Sequence, residues 1–438
     1  MYTASSAFLE ALQEAGVSYI FANLGSDHPA LIEAMAQAKA SGAPVPKLIT
    51  CPNEMVALAS AQGYAQLTGR AQAVIVHVEC GTQSLAGAVH NASRCRVPAL
   101  IFAGASPYTQ EGELRGARNE FIHWLQDVFD QRGIVRPYMK YDNELRSGRN
   151  IKQMVFRALQ FARSDPQGPV YLMGPREVME EEISRSQVNP ANWQEIGPAA
   201  LPASGVEEIA QALASARRPL IVTSYLGRNP KAVEELSRLA QCVGAGVLES
   251  VPTYLNFPPD HPLYTGSQGN EPVQNPSLAE ADVVLVLDSD VPWIPLKNKP
   301  REDARIYHID IDPIKEQMPL WYIAAKRVFR ADCATALRQI HDRIGGLAMD
   351  WSAAEERRAH FSRIHDEREN LLRQRERLDG STITPEFVTA CVREHIDRDA
   401  IILNEGITNY TAINDHCGTT RPQTRFTSGG SSLGWGGG

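Results

Sequence analysis

Residues 48–104 constrain the fold more than any other stretch. They read LITCPNEMVALASAQGYAQLTGRAQAVIVHVECGTQSLAGAVHNASRCRVPALIFAG, in the order strand, helix, strand, glycine turn, helix, strand. Short apolar runs separated by helices mark a parallel sheet, because parallel neighbours need a crossover and the crossover is usually a helix. One carboxylate, Glu54, stands where the first strand hands over to a helix. The rest of that helix (Met55, Ala57, Leu58, Ala59, Ala61, Tyr64, Ala65) is small and apolar. A lone acid in that setting is expected to be poorly solvated. Burial raises a carboxyl pKa and makes the group a useful proton donor. A Glu at a helix start is also what the helix dipole favours without any function.

The alternation continues along the chain. A first α/β unit is expected over residues 1–185, with strands near 19–21, 47–50, 73–77 and 99–103 and a last one in GPVYLMGPREV (168–178). A polar, proline-bearing linker, SRSQVNPANWQEIGPAALPAS, leads to a second unit over 204–345, which ends with the strands in ADVVLVLDSD and ARIYHIDID. Residues 350–379 read as a charged, solvated connecting helix, too sparse in apolar positions for heptads. A third unit begins at 381 with a helix and one clear strand and stops at GGSSLGWGGG. One strand cannot close a core, so the expectation is an incomplete last domain that continues past residue 438.

With 438 residues the chain is long enough for two or three domains. A formal net charge of -8 argues against nucleic acid or an anionic membrane as the main partner. No apolar run approaches the ~20 residues of a membrane span. The first residues, with Glu10 and Glu14, look like an amphipathic helix and not a signal peptide. Seven cysteines without CxxC pairing fit reduced thiols and a cytoplasmic location.

The pattern around Glu54, NExxAxxxAxGYAxxTG, resembles the pyrimidine-binding domain of thiamine diphosphate (ThDP) enzymes that act on 2-oxo acids, closest in character to benzoylformate decarboxylase. The resemblance runs through the whole chain: pyrimidine domain, central domain, start of a diphosphate domain. It implies an α/β three-domain architecture with parallel sheets flanked by helices, the third domain incomplete. It implies ThDP and Mg2+ as cofactors, and decarboxylation or carboligation of a 2-oxo acid through a C2 ylide and an enamine. It also implies a homodimer or dimer of dimers with sites at the subunit interface, where Glu54 and Leu433 act together.

Carried over residue by residue, Glu54 is the acid for the cofactor's aminopyrimidine ring, with Gly25, Gly81 and Thr82 lining it. His77 matches an active-site histidine, and an imidazole of ordinary pKa near 6.5 suits proton transfer. Glu79, two residues on, would share a face with His77 if the strand continued. Ser26 matches a substrate-contacting serine, yet Ser26 followed by Pro29 is also an ordinary helix start. His28 and Gln126 are further substrate-contact candidates. Near the C-terminus, Leu433 matches the bulky residue that holds the cofactor bent, Ser431 offers a carbonyl to its amino group, and Thr408 is a diphosphate contact. A core Leu and turn Ser and Thr are the plainer readings. The family's Gly-Asp-Gly metal motif with a downstream Asn does not occur in the sequence, so no metal ligand is named and the ligands are expected further along the chain.

The central unit carries no FAD signature in SYLGRNP (224–230) or DSDVPWIPLKNKP (288–300), and no GxGxxG follows a strand, which leaves a dehydrogenase little support. Two alternatives stay open: an FAD-independent carboligase like acetolactate synthase, and a non-catalytic relative acting as scaffold or regulator.

Overall fold

Two six-stranded, wholly parallel sheets organise the chain. The computed structural model describes residues 1–271, 273–378, 380, 382–397, 399–428 and 433–435. It separates into two bodies, residues 1–197 with 428–438, and residues 198–427.

The first body holds strands β1 (Tyr19–Ala22), β2 (Lys47–Thr50), β3 (Gln72–Val76), β4 (Ala99–Ala105), β5 (Tyr141–Glu144) and β6 (Pro169–Pro175), in the order β2-β1-β3-β4-β6-β5. Every residue of β3 and β4 is buried, as expected of central parallel strands covered on both faces. Their side chains alternate. Ala73, Ile75, Leu100 and Phe102 join Phe8 and Leu12 of α1 (Ala4–Glu14) on one face. Val74, Val76 and Ile101 join Leu58 of α3 (Glu54–Thr68) on the other, with α2 (Pro29–Ser41) lying between α1 and α3 in the chain. Helix α3 starts where Asn53 accepts the Met55 amide at 2.7 Å and ends at Gly69, φ 70°; both are ordinary end signals.

The strand order reverses between β1 and β3. Ligands in open α/β sheets bind in the crevice beyond the carboxyl ends of the strands at such a point. The turns after β1 and β3 therefore matter most.

Three sequence expectations change here. The edge strand β5, Tyr-Asp-Asn-Glu, went unforeseen because it has no apolar alternation. The expected glycine turn at 78–84 is a short helix, α4 (Val78–Ser84), followed by α5 (Ala86–Arg94). The helix after β1 is capped at His28 and not at Ser26, with Pro29 in its first turn.

The second body holds β7 (Pro219–Thr223), β8 (Gly246–Ser250), β9 (Tyr264–Gln268), β10 (Val283–Leu287), β11 (Arg305–Asp310) and β12 (Arg327–Arg330), in the order β12-β11-β10-β7-β8-β9. This is a doubly wound sheet that reverses between β7 and β10. The helix Trp351–Arg375 packs on this body and is not a solvated connector. Phe361 enters the core, Arg357 donates to the Val243 and Ala216 carbonyls at 2.8 Å, and His365 Nδ1 lies 3.0 Å from the Tyr264 carbonyl. Arg and His count as polar in a periodicity reading, but here their stems complete the buried stripe. Beyond residue 381 the helix Pro385–His395 and the parallel pair β13 (Ile402–Asn404) and β14 (Arg425–Thr427) belong to this second body. Arg425 Nη2 reaches the fully buried Glu249 carboxylate at 2.9 and 2.6 Å.

Candidate active site

The site is built from the carboxyl ends of β1 to β4. The turn after β2 delivers Glu54 as the first residue of α3. The Asn23 side chain, from the turn after β1, donates to Glu54 Oε1 at 3.0 Å and fixes the carboxylate. On α4, a side chain at Gly81 would touch Val76 at 3.0 Å and Glu54 Oε1 at 3.4 Å. Its absence leaves one flank of the acid uncovered. Glu54 is half-buried in the single chain and not wholly enclosed. Met55, the next residue, and Leu433 converge over Gly87 of α5; a Cβ there would lie 3.1 Å from Met55 Cε and 3.7 Å from Leu433 Cδ1. The Asn91 amide holds the adjacent Gly434 carbonyl at 3.2 Å. Within the single chain Leu433 lies beside Gly87 at the start of α5.

The second half of the site centres on a residue the sequence reading passed over, Asp27. It is buried, with 4% of its surface exposed. One oxygen lies 2.6 Å from His77 Nδ1, and the other accepts the Val78 amide at 3.1 Å. Val78 has φ 26°, a left-handed conformation that a β-branched residue avoids unless its surroundings impose it. His77 Nε2 faces Gln126 Oε1 at 3.1 Å; Gln126 follows the short helix α6 (Ile122–Leu125). The His77 hydrogen bond to Asp27 outweighs desolvation and raises the imidazole pKa above its ordinary value. Burial pushes the Asp27 carboxyl up, but His77, His28 and the Val78 amide together hold it below the usual range. His28 is fully buried, and that desolvation lowers its pKa despite Asp27 at 3.1 Å. Its Nδ1 accepts the Gly25 amide at 3.0 Å, which suits a neutral ring.

Two glycines make this packing possible. A Cβ at Gly25 would fall 2.1 Å from His77 Nδ1, and one at Gly104 would fall 1.8 Å from Asp27 Oδ2. Gly25 therefore seats the histidine.

The other candidates separate. Ser26 is half-buried in the same turn, and its hydroxyl has no hydrogen-bond partner among the described residues. Gln126 Nε2 is buried without a partner among them. Thr82 turns inward: its hydroxyl donates to the Val78 carbonyl at 2.6 Å and lies 2.8 Å from the Tyr171 hydroxyl. Glu79 does not share a strand face with His77, because β3 ends at Val76; it is buried and bonded to Cys80 and Gln83 instead. Burial and then Glu79 push the Cys80 thiol up to about 11. Thr408 is exposed on the turn Ile407–Asn409 of the second body. Ser431 lies outside the described residues. Among the described residues no group of three or more His, Cys, Asp or Glu could hold a metal ion, and no helix is long and apolar enough to cross a membrane.

A lone helix-start carboxylate beside glycines and two apolar side chains fits a flat, basic heteroaromatic ring. Comparison with known proteins decides the family. Residues 2–134 match the model of the thiamine pyrophosphate enzyme N-terminal TPP binding domain, and residues 206–340 match that of the central domain. The chain belongs to the thiamine pyrophosphate enzymes. Among its relatives are the sulfoacetaldehyde acetyltransferase of Castellaniella defragrans, 28% identical over 71% of this chain and 50% of that protein, and the acetolactate synthase of Bacillus subtilis, 25% identical over 69% and 50%. The chain spans about half the length of these curated relatives. Similar solved structures include the thiamine diphosphate-dependent 4-hydroxybenzoylformate decarboxylase of Rhodococcus jostii RHA1, with TM-score 0.77, 19% identity and cover of 99% of this chain and 77% of that one. The benzoylformate decarboxylase of Polynucleobacter necessarius gives 0.76, 18%, 99% and 76%. At these identities the likeness is one of fold. The matched N-terminal domain of this thiamine pyrophosphate enzyme contains Glu54, Asp27, His77 and Gln126. The signal that could have found Asp27 is an acid beside a histidine, directly after a glycine turn at the end of β1.

Proposed function

We propose that the chain serves a ThDP- and Mg2+-dependent enzyme that decarboxylates a 2-oxo acid or passes the product fragment to a second carbonyl. The observation that carries this reading is Glu54, a single carboxylate fixed by Asn23 and uncovered at Gly81. ThDP, when bound, supplies an electron sink for bond cleavage next to a carbonyl. Glu54 would hold the pyrimidine end through its carboxylate, with Met55 and Leu433 as apolar contacts. His77 holds a proton at Nε2 that it can lend to a substrate oxygen or carbon and recover. Ser26 and Gln126 Nε2, both without partners among the described residues, are suited to orient the substrate carboxylate. Mg2+ and the roles of Thr408 and Ser431 rest on the family resemblance alone, as does a diphosphate-binding unit beginning at 381; a cytoplasmic location rests on the cysteine usage.

A homodimer or dimer of dimers belongs to the same reading. The segment bearing Gln126 leaves Phe121, Leu125 and Phe129 exposed, and clustered apolar exposure is usual where another chain packs. Flavin is not part of the reading. After β7, the Gly227 amide goes to Asn256 Oδ1 at 2.8 Å, and the Arg228 and Asn229 amides go to the Tyr225 and Leu226 carbonyls at 3.1 Å. A dinucleotide phosphate would find these donors taken.

The test is Glu54→Gln and Glu54→Ala in the full chain, assayed with ThDP, Mg2+ and a panel of 2-oxo acids. Turnover should fall by roughly 10²–10⁴-fold while circular dichroism and melting stay unchanged. Undiminished turnover would sink the mechanism. A carboligase reading is favoured by the acetolactate synthase relative; from pyruvate it yields acetolactate, and a simple decarboxylase yields acetaldehyde. A calorimetric titration showing no ThDP binding would favour the non-catalytic relative.

A further inference from the structure

Asp27 is a buried carboxylate to which the family reading assigns nothing. Its carboxylate is buried, yet each oxygen is committed: one to His77 Nδ1 at 2.6 Å, the other to the Val78 amide at 3.1 Å. It thereby grips the histidine at both ends, through the ring and through the backbone of the next residue. The backbone end is costly, since Val78 sits at φ 26°, and such conformations persist where the surroundings over-determine them. The ring end is shaped by deletion. Neither Gly25 nor Gly104 could carry a Cβ without entering His77 or Asp27.

His77 thus lies between two acceptors, Asp27 Oδ1 and, as it is oriented, Gln126 Oε1. A ring with acceptors at both nitrogens is best satisfied with both protonated. The other histidine beside Asp27 does not compete. His28 is fully buried, with its ring centre 6.5 Å from that of His77, and its Nδ1 is already used by the Gly25 amide. The remaining charged group facing His77 is Glu79, from α4. It favours the same protonation state and makes no hydrogen bond to the ring.

We propose that Asp27 is the positioning residue of His77: it anchors Nδ1, keeps the ring protonated, and leaves Nε2 as the atom that gives and recovers the proton. When Nε2 gives its proton to a ligand, the ring becomes neutral, Nδ1 stays bonded, and Asp27 remains ionised throughout. The inference rests on the proposed function for what His77 does in turnover. The geometry and charge of the pair do not depend on it.

The experiment reads the pair without any cofactor. Long-range nitrogen–proton correlation spectra of the full chain, labelled at its 11 histidines, give the titration of each ring, with His77→Gln supplying the assignment. In the wild type His77 should titrate above an ordinary imidazole and keep a strongly hydrogen-bonded Nδ1 proton. In Asp27→Asn, which keeps the shape and removes the charge, the His77 titration should move to lower pH. With ThDP, Mg2+ and a 2-oxo acid, kcat should fall on the order of 10²-fold and the alkaline limb of the pH profile should move the same way. An unmoved His77 titration in Asp27→Asn overturns the proposal, whatever happens to activity. If that variant does not fold, a wild-type His77 that titrates at or below the ordinary value overturns it equally. A shifted titration in a protein with no turnover supports the pair and counts against the proposed function alone.

Discussion

One chemical change, glycine to alanine, should have opposite effects at two places in the first body. At Gly104 in β4, a Cβ would stand 1.8 Å from Asp27 Oδ2, 2.5 Å from Cγ and 2.6 Å from Cβ. The whole Asp27 side chain is in the way, and it cannot swing aside without releasing His77 and Val78. The strand cannot yield easily either: Gly104 pairs with Gly174 of β6, and its carbonyl accepts Gln131 at 2.7 Å. Overpacking a rigid site costs about 1–3 kcal/mol, and losing the charge-assisted bond to His77 adds about 1.5–3 kcal/mol. Gly104→Ala should therefore destabilise by about 2.5–6 kcal/mol, lowering the melting temperature by roughly 5–24 °C for a body of this size. Gly63 lies inside α3, and a Cβ there meets nothing within 4 Å. Gly63→Ala should stabilise by about 0.5–1 kcal/mol through helix propensity, raising the melting temperature by roughly 1–4 °C. Differential scanning calorimetry of the two variants beside the wild type reads both. A Gly104→Ala protein that melts with the wild type would refute the packing argument, because nothing soft lies around that position to absorb a methyl group.

Two further predictions concern the second body. Arg425→Met leaves the buried Glu249 carboxylate without its guanidinium, although Tyr264 and Asn256 still donate to it. Breaking a buried pair from one side costs about 3–5 kcal/mol, read as a lower midpoint in urea; an unchanged midpoint would show the pair contributes nothing. Glu376 is held down to about 2, first by its hydrogen bond to Arg393, against burial, and then by His416 and Arg373. A depressed carboxyl adds stability that is present above the ordinary value of 4.5 and lost as pH falls toward 2. Glu376→Gln should flatten the acid side of the stability curve in that window, and an identical slope in the variant would count against the assignment.

The parts of the fold that were legible in the sequence are those where one local signal suffices. Gln72–Val76 and Ala99–Ala105 are apolar runs of strand length, and Asn53 before Glu54 marks a helix start. The edge strand Tyr141–Glu144 owes its pairing to β6 and not to its own pattern. At 78–84, a Cys-Gly-Thr run reads as a turn, but Thr82 bonds back to the Val78 carbonyl and closes a helical turn. The helix Trp351–Arg375 looked solvated because two of its buried residues are Arg357 and His365. In the site, Glu54 and His77 stood out because their residue types carry chemistry at element ends. Asp27 did not, since an acid after a glycine is an ordinary turn residue and its partner is fifty residues away in the chain. Only the order of the strands, with β1 beside β3, brings the two together.

The two bodies offer a controlled comparison of what makes a crevice functional. Both sheets reverse direction and both present turns at the carboxyl ends of neighbouring strands. In the second body the crevice is filled from within. Lys315, with 1% of its surface exposed, reaches the Tyr225 hydroxyl at 2.9 Å, Asp310 at 2.7 Å and Asp290 at 3.0 Å. Its three donors are spent, and two carboxylates already neutralise a charge that a phosphate would otherwise claim. In the first body the corresponding turns hold groups with capacity left: the Ser26 hydroxyl, the Gln126 amide nitrogen, and a Glu54 carboxylate flanked by a missing side chain. The Gln126 nitrogen is buried without a partner among the described residues, and an unpaired buried donor is costly. In the second body Thr223 Oγ1 and His308 Nδ1 are buried and unpaired among the described residues as well, so unpaired groups alone do not separate the two crevices. What separates them is charge: the second crevice neutralises its lysine internally, whereas in the first the Glu54 carboxylate has only the Asn23 amide as a partner among the described residues.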